Sequence, residues 1–364
     1  VYDPHSGKKI RKTFHNLAEA RGWRHDAAAA LRRGTLRAPG KTTLREAAEA
    51  WLEGAEQGEI LSRNRTRYKP SSVRGYRADL TRYVLPELGA LRLDAVSADD
   101  FQGLVDRLAG GGLSASKVRN ILVPVQALYR RHRRRVPVNP TEGLELPAVT
   151  GGRERAASVK EAAELIAALP ESDRALWATA FYAGLRRGEL RALRWDDVDL
   201  ASGEIHVRAS WDDVAGFVSP KSRKGRRDVP IVSLLRDYLL EHKARAGRDG
   251  AEFVFGPRAD HPFTPTNIRK RALTAWSEAN AKRREVELPE LVPIGLHECR
   301  HTCVSLLFDA GLSLERIGDY VGHSSSYMTE AYRHLIDGHK AETVRLVDAY
   351  VARASTQARA PAQV

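Results

Sequence analysis

The chain has 364 residues, enough for two or three domains, and its 42% hydrophobic and 29% charged residues are an ordinary globular balance able to bury real cores. Lys plus Arg number 59 against 46 for Asp plus Glu, a net charge of +13, so a polyanion is the first partner to consider, against the plainer alternative of a generic basic surface. Cys299 and Cys303 form neither a CxxC pair nor a disulfide framework, which fits a reducing cytoplasm, and no apolar run reaches membrane-spanning length, so no membrane partner is expected.

Turn residues at Asp3-Pro4 and Ser6-Gly7, then Lys8-Lys9-Ile10-Arg11-Lys12-Thr13-Phe14, read as short basic strands. Asn16 with Glu19 is a capping pattern for a helix over 17–31. Residues 1–38 are thus expected to form a small β-plus-α module, and a start at Val1 allows residues to precede it. Arg37-Ala38-Pro39-Gly40 is a linker, after which Thr43-x-x-Glu46 opens a helix carrying Leu44, Ala47, Ala48 and Trp51 on one face. Further helices are expected over about 71–85, 98–109 (capped by Ser97) and 115–134, making 41–140 an all-helical domain. Arg63, Arg65, Arg67, Lys69 and Arg74 cluster around one loop and the next helix start. Arg130, Arg131, Arg133, Arg134 and Arg135 are expected to end the last helix; one or two cations would compensate its dipole, whereas five point to phosphate contacts. A linker over 141–157 leads to the capping box Ser158-x-x-Glu161, which opens a third domain over 158–355, strand-rich around 203–232, before a polar tail at 356–364.

That domain carries four groups of chemically capable residues. Gly184-Leu185-Arg186-Arg187-Gly188-Glu189-Leu190 places Arg186 and Glu189 at i and i+3, which an intrahelical ion pair explains equally well. Residues 217–222 and 226–231 flank Lys224-Gly225 as an expected hairpin, with Lys221 at a strand end and Arg226 and Arg227 beside the turn; a solvated hairpin charge is the alternative for Lys221. His297, Arg300 and His301 fall at i, i+3 and i+4 and are expected to project from one helix face, an arrangement that calls for an anion. The same five residues read H-E-x-x-H, the zinc-protease helix, but a guanidinium about 60° from His297 opposes metal binding. Finally, Gly322-His323 leads through Ser324–Ser326 to a segment bearing Tyr327 and Tyr332.

In this order, Gly-Leu-Arg-x-x-Glu-Leu, a hairpin Lys, His-x-x-Arg-His, and Gly-His with Tyr nine residues on (332 − 323 = 9), the chain resembles the tyrosine recombinase, or phage integrase, family. The resemblance implies a multidomain, mainly α fold: an arm-type DNA-binding module at 1–38, a helical core-binding domain at 41–140 and a mixed α/β catalytic domain, the last two closing as a clamp on duplex DNA. It implies that Arg186 and Arg300 hold the scissile phosphate, Lys221 protonates the 5′-oxygen leaving group, and His297 and His323 supply hydrogen bonds and proton transfer. Glu189 would be an accessory carboxylate and Tyr332 the nucleophile. It further implies a 3′-phosphotyrosyl intermediate, a homotetramer on DNA formed from free monomers, exchange through a Holliday junction, and accessory DNA-bending or directionality proteins. No metal, nucleotide or other cofactor is expected, because guanidiniums and a lysine supply the positive charge. Arg63, Arg65, Arg67, Lys69, Arg74, Arg130, Arg131, Arg133, Arg134, Arg226 and Arg227 are expected to contact DNA. A type IB topoisomerase shares the same chemical set, and a non-catalytic DNA-binding regulator is the reading from a different class.

Overall fold

A computed structural model describes residues 1–4, 7–149, 155–219 and 225–323. Lys221, Tyr327, Tyr332, the helix expected over 338–353 and the tail lie outside the described residues, as do residues 150–154 of the linker. The chain divides into two compact units, Val1–Gly152 and Arg153–Val364. No described helix is long and apolar enough to cross a membrane.

The first unit opens with β1 (Tyr2–Asp3) paired antiparallel to β2 (Lys8–Lys9). Asp3 is buried, and its carboxylate accepts from the Ala38 N–H at 3.0 Å, tying the opening strands to the chain beyond the first helix. That helix, α1 (Leu17–Arg33), starts on Asn16, whose Oδ1 accepts from the Glu19 N–H, and stops at Gly34 in the left-handed region. Next, α2 (Leu44–Gln57) begins with the reciprocal Thr43–Glu46 capping box and buries Leu44, Ala47, Ala48 and Trp51.

The helix expected over 71–85 instead runs as α3 (Pro70–Asp79), a π-turn at Leu80–Val84, and α4 (Leu85–Leu88). Pro86 offers no N–H and crowds the carbonyl four residues back, so the ladder widens and the Leu85 N–H reaches Leu80 O. Two more helices, α5 (Ala98–Gly110) and α6 (Ala115–Arg131), complete a core in which Phe101 meets Tyr129 edge-on at 5.8 Å. Full burial of each such aromatic is worth about 1.5–3 kcal/mol. The end expected near 134 is corrected to Arg131. The N–H groups of Arg135 and Val136 both turn back to His132 O, because Val136 enters the core and Pro137 disfavours helix at the residue before it. Arg133, Arg134 and Arg135 therefore lie in the turn beyond α6.

In the second unit, α7 (Val159–Ala167) starts on Ser158, and α8 (Glu171–Tyr182) is buried along most of its length. The short α9 (Arg187–Ala192) is followed by β3 (Val198–Asp199), β4 (Glu204–Val207), β5 (Ser210–Asp212), β6 (Gly216–Val218) and β7 (Arg227–Pro230). The helices α10 (Ser233–Ala246), α11 (Pro265–Glu285), α12 (Leu296–Asp309) and α13 (Leu314–Val321) follow. Trp177 of α8 meets Trp276 of α11 edge-on at 5.1 Å, and Trp276 Nε1 donates to Leu165 O at 2.9 Å. Both α10 and α12 pack on α8.

The expected pairing of 217–222 with 226–231 is wrong. Strand β6 pairs with β5, and β7 joins the three-stranded antiparallel sheet β3-β4-β7. Asp212 Oδ1 accepts from the Val214 and Ala215 N–H groups and folds its own tight turn, while β7 places Val229 opposite Ile205, both fully buried.

Candidate active site

The site is built where α9, β7, α12 and the end of α13 meet. After α8 the chain turns at Gly184, whose φ is +59° and where an added Cβ would lie 2.9 Å from Cys303 Sγ. A side chain there is excluded twice, by backbone conformation and by space. The turn buries Leu185 and leaves Arg186 as the residue that caps α9 rather than one inside it. Its N–H donates to Glu189 Oε2 at 2.9 Å and its Nη1 to Glu189 Oε1 at 2.8 Å. Gly188 packs closely on β5: a Cβ there would lie 2.3 Å from Ser210 Oγ, which would have to rotate away.

Glu189 is 4% exposed and has a second cationic partner, Arg227, whose side chain is 6% exposed. Arg227 Nη2 donates to Oε2 at 2.9 Å and Nη1 to Oε1 at 3.3 Å. Burial alone would raise the Glu189 pKa; Arg227 first and Arg186 second override it and bring the carboxyl down to about 2.

Arg300 turns inward from α12 and is 1% exposed, whereas His297 stands at the rim, exposed on its outer side. Along the face that these residues share, Arg300 lies deepest, where it reaches two carbonyls. Its Nη1 donates to Gly184 O at 2.5 Å and its Nη2 to Val321 O, while its buried Nε has no hydrogen-bond partner among the described residues. Burial and then Arg186 lower the Arg300 pKa to about 9, still protonated at neutral pH. The rings of His297 and His301 meet edge-on at 5.0 Å. The Glu298 carboxylate accepts from the Gly295 N–H at 2.6 Å and so caps α12.

At the C-terminal end of α13 the three arginines each take one of three successive carbonyls. Arg227 Nε donates to Tyr320 O at 2.7 Å, Arg300 Nη2 to Val321 O, and Arg186 Nη2 to Gly322 O at 2.7 Å. These oxygens have no intrahelical donor and form the negative end of the helix dipole, so cations are their natural partners. Gly322 adopts the left-handed conformation and the His323 N–H returns to Gly318 O at 2.7 Å, which places His323 beside the cluster. Burial first, then Arg300, Arg186 and Arg227, lower the His323 pKa to about 3, so its imidazole is neutral at physiological pH. Partial burial, Arg300 and Arg186 lower that of His297 as well. Three guanidiniums against one carboxylate leave 3 − 1 = +2, and such a charge at a partly open site calls for an anion.

Of the residues singled out above, Arg186, Glu189, Arg300 and His323 come together, with His297 at the rim; Lys221 and Tyr332 lie outside the described residues. Arg226 is exposed. Arg227, expected to contact DNA, turns its guanidinium onto Glu189, Tyr320 O and Gly225 O. The signal was present in the strand period, since Arg227 shares a face with the buried Val229, whereas Arg226 and Asp228 share the other.

In the first unit, Arg63, Arg65 and Arg67 are exposed around a tight turn closed by Ser62 N–H to Thr66 O (2.8 Å), with Arg65 at φ +57°. Lys69 and Arg74 are half-buried beside it. Arg130, Arg131, Arg133 and Arg134 are exposed.

Residues 156–339 match the phage integrase family. An integrase of Streptomyces ambofaciens is 32% identical over 279 residues, spanning 70% of this chain and 69% of the relative. Among solved structures, the Tn1549 transposon integrase in complex with transposon right end DNA aligns with a TM-score of 0.66 at 18% identity, over 83% of this chain and 99% of that one. A lambda integrase tetramer bound to a Holliday junction aligns with a TM-score of 0.57 at 16% identity, over 89% and 92%. The fold, mostly helical with small sheets, is that of these integrases. The chain belongs to the phage integrase family and is a site-specific tyrosine recombinase, an enzyme that breaks and rejoins DNA.

Proposed function

We propose that this recombinase cleaves DNA with Tyr332 and that Arg186 and Arg300 hold the scissile phosphate. The Tyr332 oxygen forms a bond to phosphorus as the P–O5′ bond breaks. The phenol proton passes to a neutral histidine, His297 or His323, and Lys221 gives a proton to the departing 5′-oxygen. The 3′-phosphotyrosyl ester keeps the energy of the broken bond, so rejoining needs no ATP. Negative charge growing on the non-bridging oxygens is met by guanidiniums already fixed in place. Glu189 holds Arg186 in its rotamer.

The observation that carries this reading is the convergence of Arg186, Arg300 and His323, which are far apart in sequence, at one cationic point. The wider reading follows the same chemistry. Residues 1–38 act as an arm-type DNA-binding module, 41–140 as the core-binding domain and 158–355 as the catalytic domain. Monomers assemble as a homotetramer on two DNA sites in the cytoplasm and exchange strands through a Holliday junction, with accessory bending or directionality proteins, to integrate or excise a mobile element. The exposed arginines around 63–67 and 130–134 would hold the duplex backbone.

The test is a nicked suicide duplex built from the attachment repeats that flank the gene. The native enzyme is expected to accumulate a covalent protein–DNA adduct on it, and Arg186→Ala to bind the duplex without forming one. An adduct at undiminished rate in Arg186→Ala would overturn the assignment of the phosphate clamp.

A further inference from the structure

The three arginines at the end of α13 have different duties. Arg186 and Arg300 have donors left over: Arg186 is half-buried and reaches solvent, and Arg300 keeps a buried Nε with no hydrogen-bond partner among the described residues. Arg227 does not. Its Nε and both terminal nitrogens are engaged by Tyr320 O, by both oxygens of Glu189 and by Gly225 O, with the side chain almost wholly out of solvent. It bridges three pieces of chain, strand β7, the carboxylate that orients Arg186, and the last turn of α13, three residues before His323, alongside the bonds from Tyr320 Oη to Pro230 O and from Arg186 Nη2 to Gly322 O.

We propose that Arg227 is a positioning residue for strand cleavage, which fixes His323 and Arg186 in one frame by joining Glu189 to the C-terminal carbonyls of α13, and does not itself touch DNA. This rests on reading Arg186, Arg300 and His323 as the groups that handle the phosphate. A planar, five-donor guanidinium suits the task because it satisfies a carboxylate and a helix end at the same time. An ammonium carries the same charge but is a point donor, and from one position it cannot hold the fork on Glu189 and the bond to Tyr320 O together. With that link broken, Arg186 keeps Glu189 and Gly322 O and Arg300 keeps Val321 O, but Glu189 loses its tie to Tyr320 O and the frame is free to shift by about 1 Å.

The experiment uses full-length Arg227→Lys and Arg227→Ala with the nicked suicide duplex. Four readouts are needed: folded state, duplex affinity, the slope of log affinity against log salt, and the single-turnover rate of adduct formation. Arg227→Ala also strips a partner from a buried carboxylate and lowers stability, so Arg227→Lys decides the matter. It is expected to stay folded, to bind within about twofold of the native enzyme with the same salt slope, and to form adduct about 100-fold more slowly, the loss typical of a misplaced site. A salt slope shallower by about 0.9 would mean that Arg227 contacts a phosphate, and would overturn the proposal. So would adduct formation by Arg227→Lys at the native rate, or a slowing explained wholly by lost folded protein. Arg186→Ala and His323→Ala run alongside: if both form adduct at the native rate, the underlying site reading fails; if both are slowed and Arg227→Lys is not, only the inference about Arg227 fails.

Discussion

Replacing Glu189 with glutamine keeps the shape of the side chain and removes the negative charge shared by Arg186 and Arg227. A fall in the carboxyl pKa from 4.5 to about 2, at roughly 1.4 kcal/mol per pH unit, makes the ionised form worth about 3 kcal/mol to the folded state. The folded value is depressed below the unfolded one. The contribution is therefore complete above pH 4.5 and is lost as the pH falls from there towards 2. At pH 7, Glu189→Gln should be less stable by about 3 kcal/mol, since it leaves Arg227 buried without its counter-charge. Between pH 5 and pH 2 the native protein should lose that advantage and the two curves should converge. Denaturant unfolding with pulsed hydrogen exchange, read on peptides of the second unit, measures this without mixing in the transition of the first. A difference below about 1 kcal/mol at pH 7, the size of an exposed ion pair, would refute the reasoning. Parallel curves down to pH 2 would refute it as well.

Gly184→Ala should cost roughly 2–4 kcal/mol, from a left-handed backbone and from contact with Cys303, and should slow adduct formation because Gly184 O orients Arg300. Thermal unfolding together with single-turnover cleavage checks both, and a native-like rate would show that Arg300 does not depend on this turn. Cleavage should survive excess EDTA with a rate change below about twofold, because guanidiniums supply the charge that metal ions supply elsewhere; loss on chelation and recovery with zinc would contradict it. Deleting residues 1–38 should spare affinity for the core site and weaken binding to flanking repeats, measured by gel shift on the two duplexes; an unchanged preference would reduce the segment to a structural extension of the first unit.

Local signals were legible where local chemistry decides the outcome. Asn16–Glu19, Thr43–Glu46, Ser97–Asp100 and Ser158–Glu161 start their helices through side chain to backbone bonds that need only three residues of sequence. The motif residues Arg186, Glu189, Arg300 and His323 could be picked out by type and order. What sequence left open was set by distant partners. Strand β7 chose β4 because Val229 packs on Ile205, a neighbour 24 residues back that no turn signal reveals. The tract Arg130–Arg135 looked like one helical run because its end depends on Val136 reaching the core. The depth of Arg300 on its helix face depends on the carbonyls of Gly184 and Val321, which lie far off in sequence. Arg227, read as one of two turn cations, differs from Arg226 only by the phase of a four-residue strand.

We propose Tyr332, nine residues beyond His323, as the nucleophile, and not Tyr327, four residues beyond it. A phenol, whose reference pKa is near 10, needs cations and a proton acceptor beside it to attack at neutral pH. The most direct measurement is to trap the covalent adduct on the nicked duplex, digest the protein and sequence the DNA-linked peptide by mass spectrometry. The expected result is a phosphotyrosyl link at Tyr332, no adduct in Tyr332→Phe despite intact duplex binding, and an undiminished adduct in Tyr327→Phe. A link at Tyr327, or an adduct that persists in Tyr332→Phe, would contradict it.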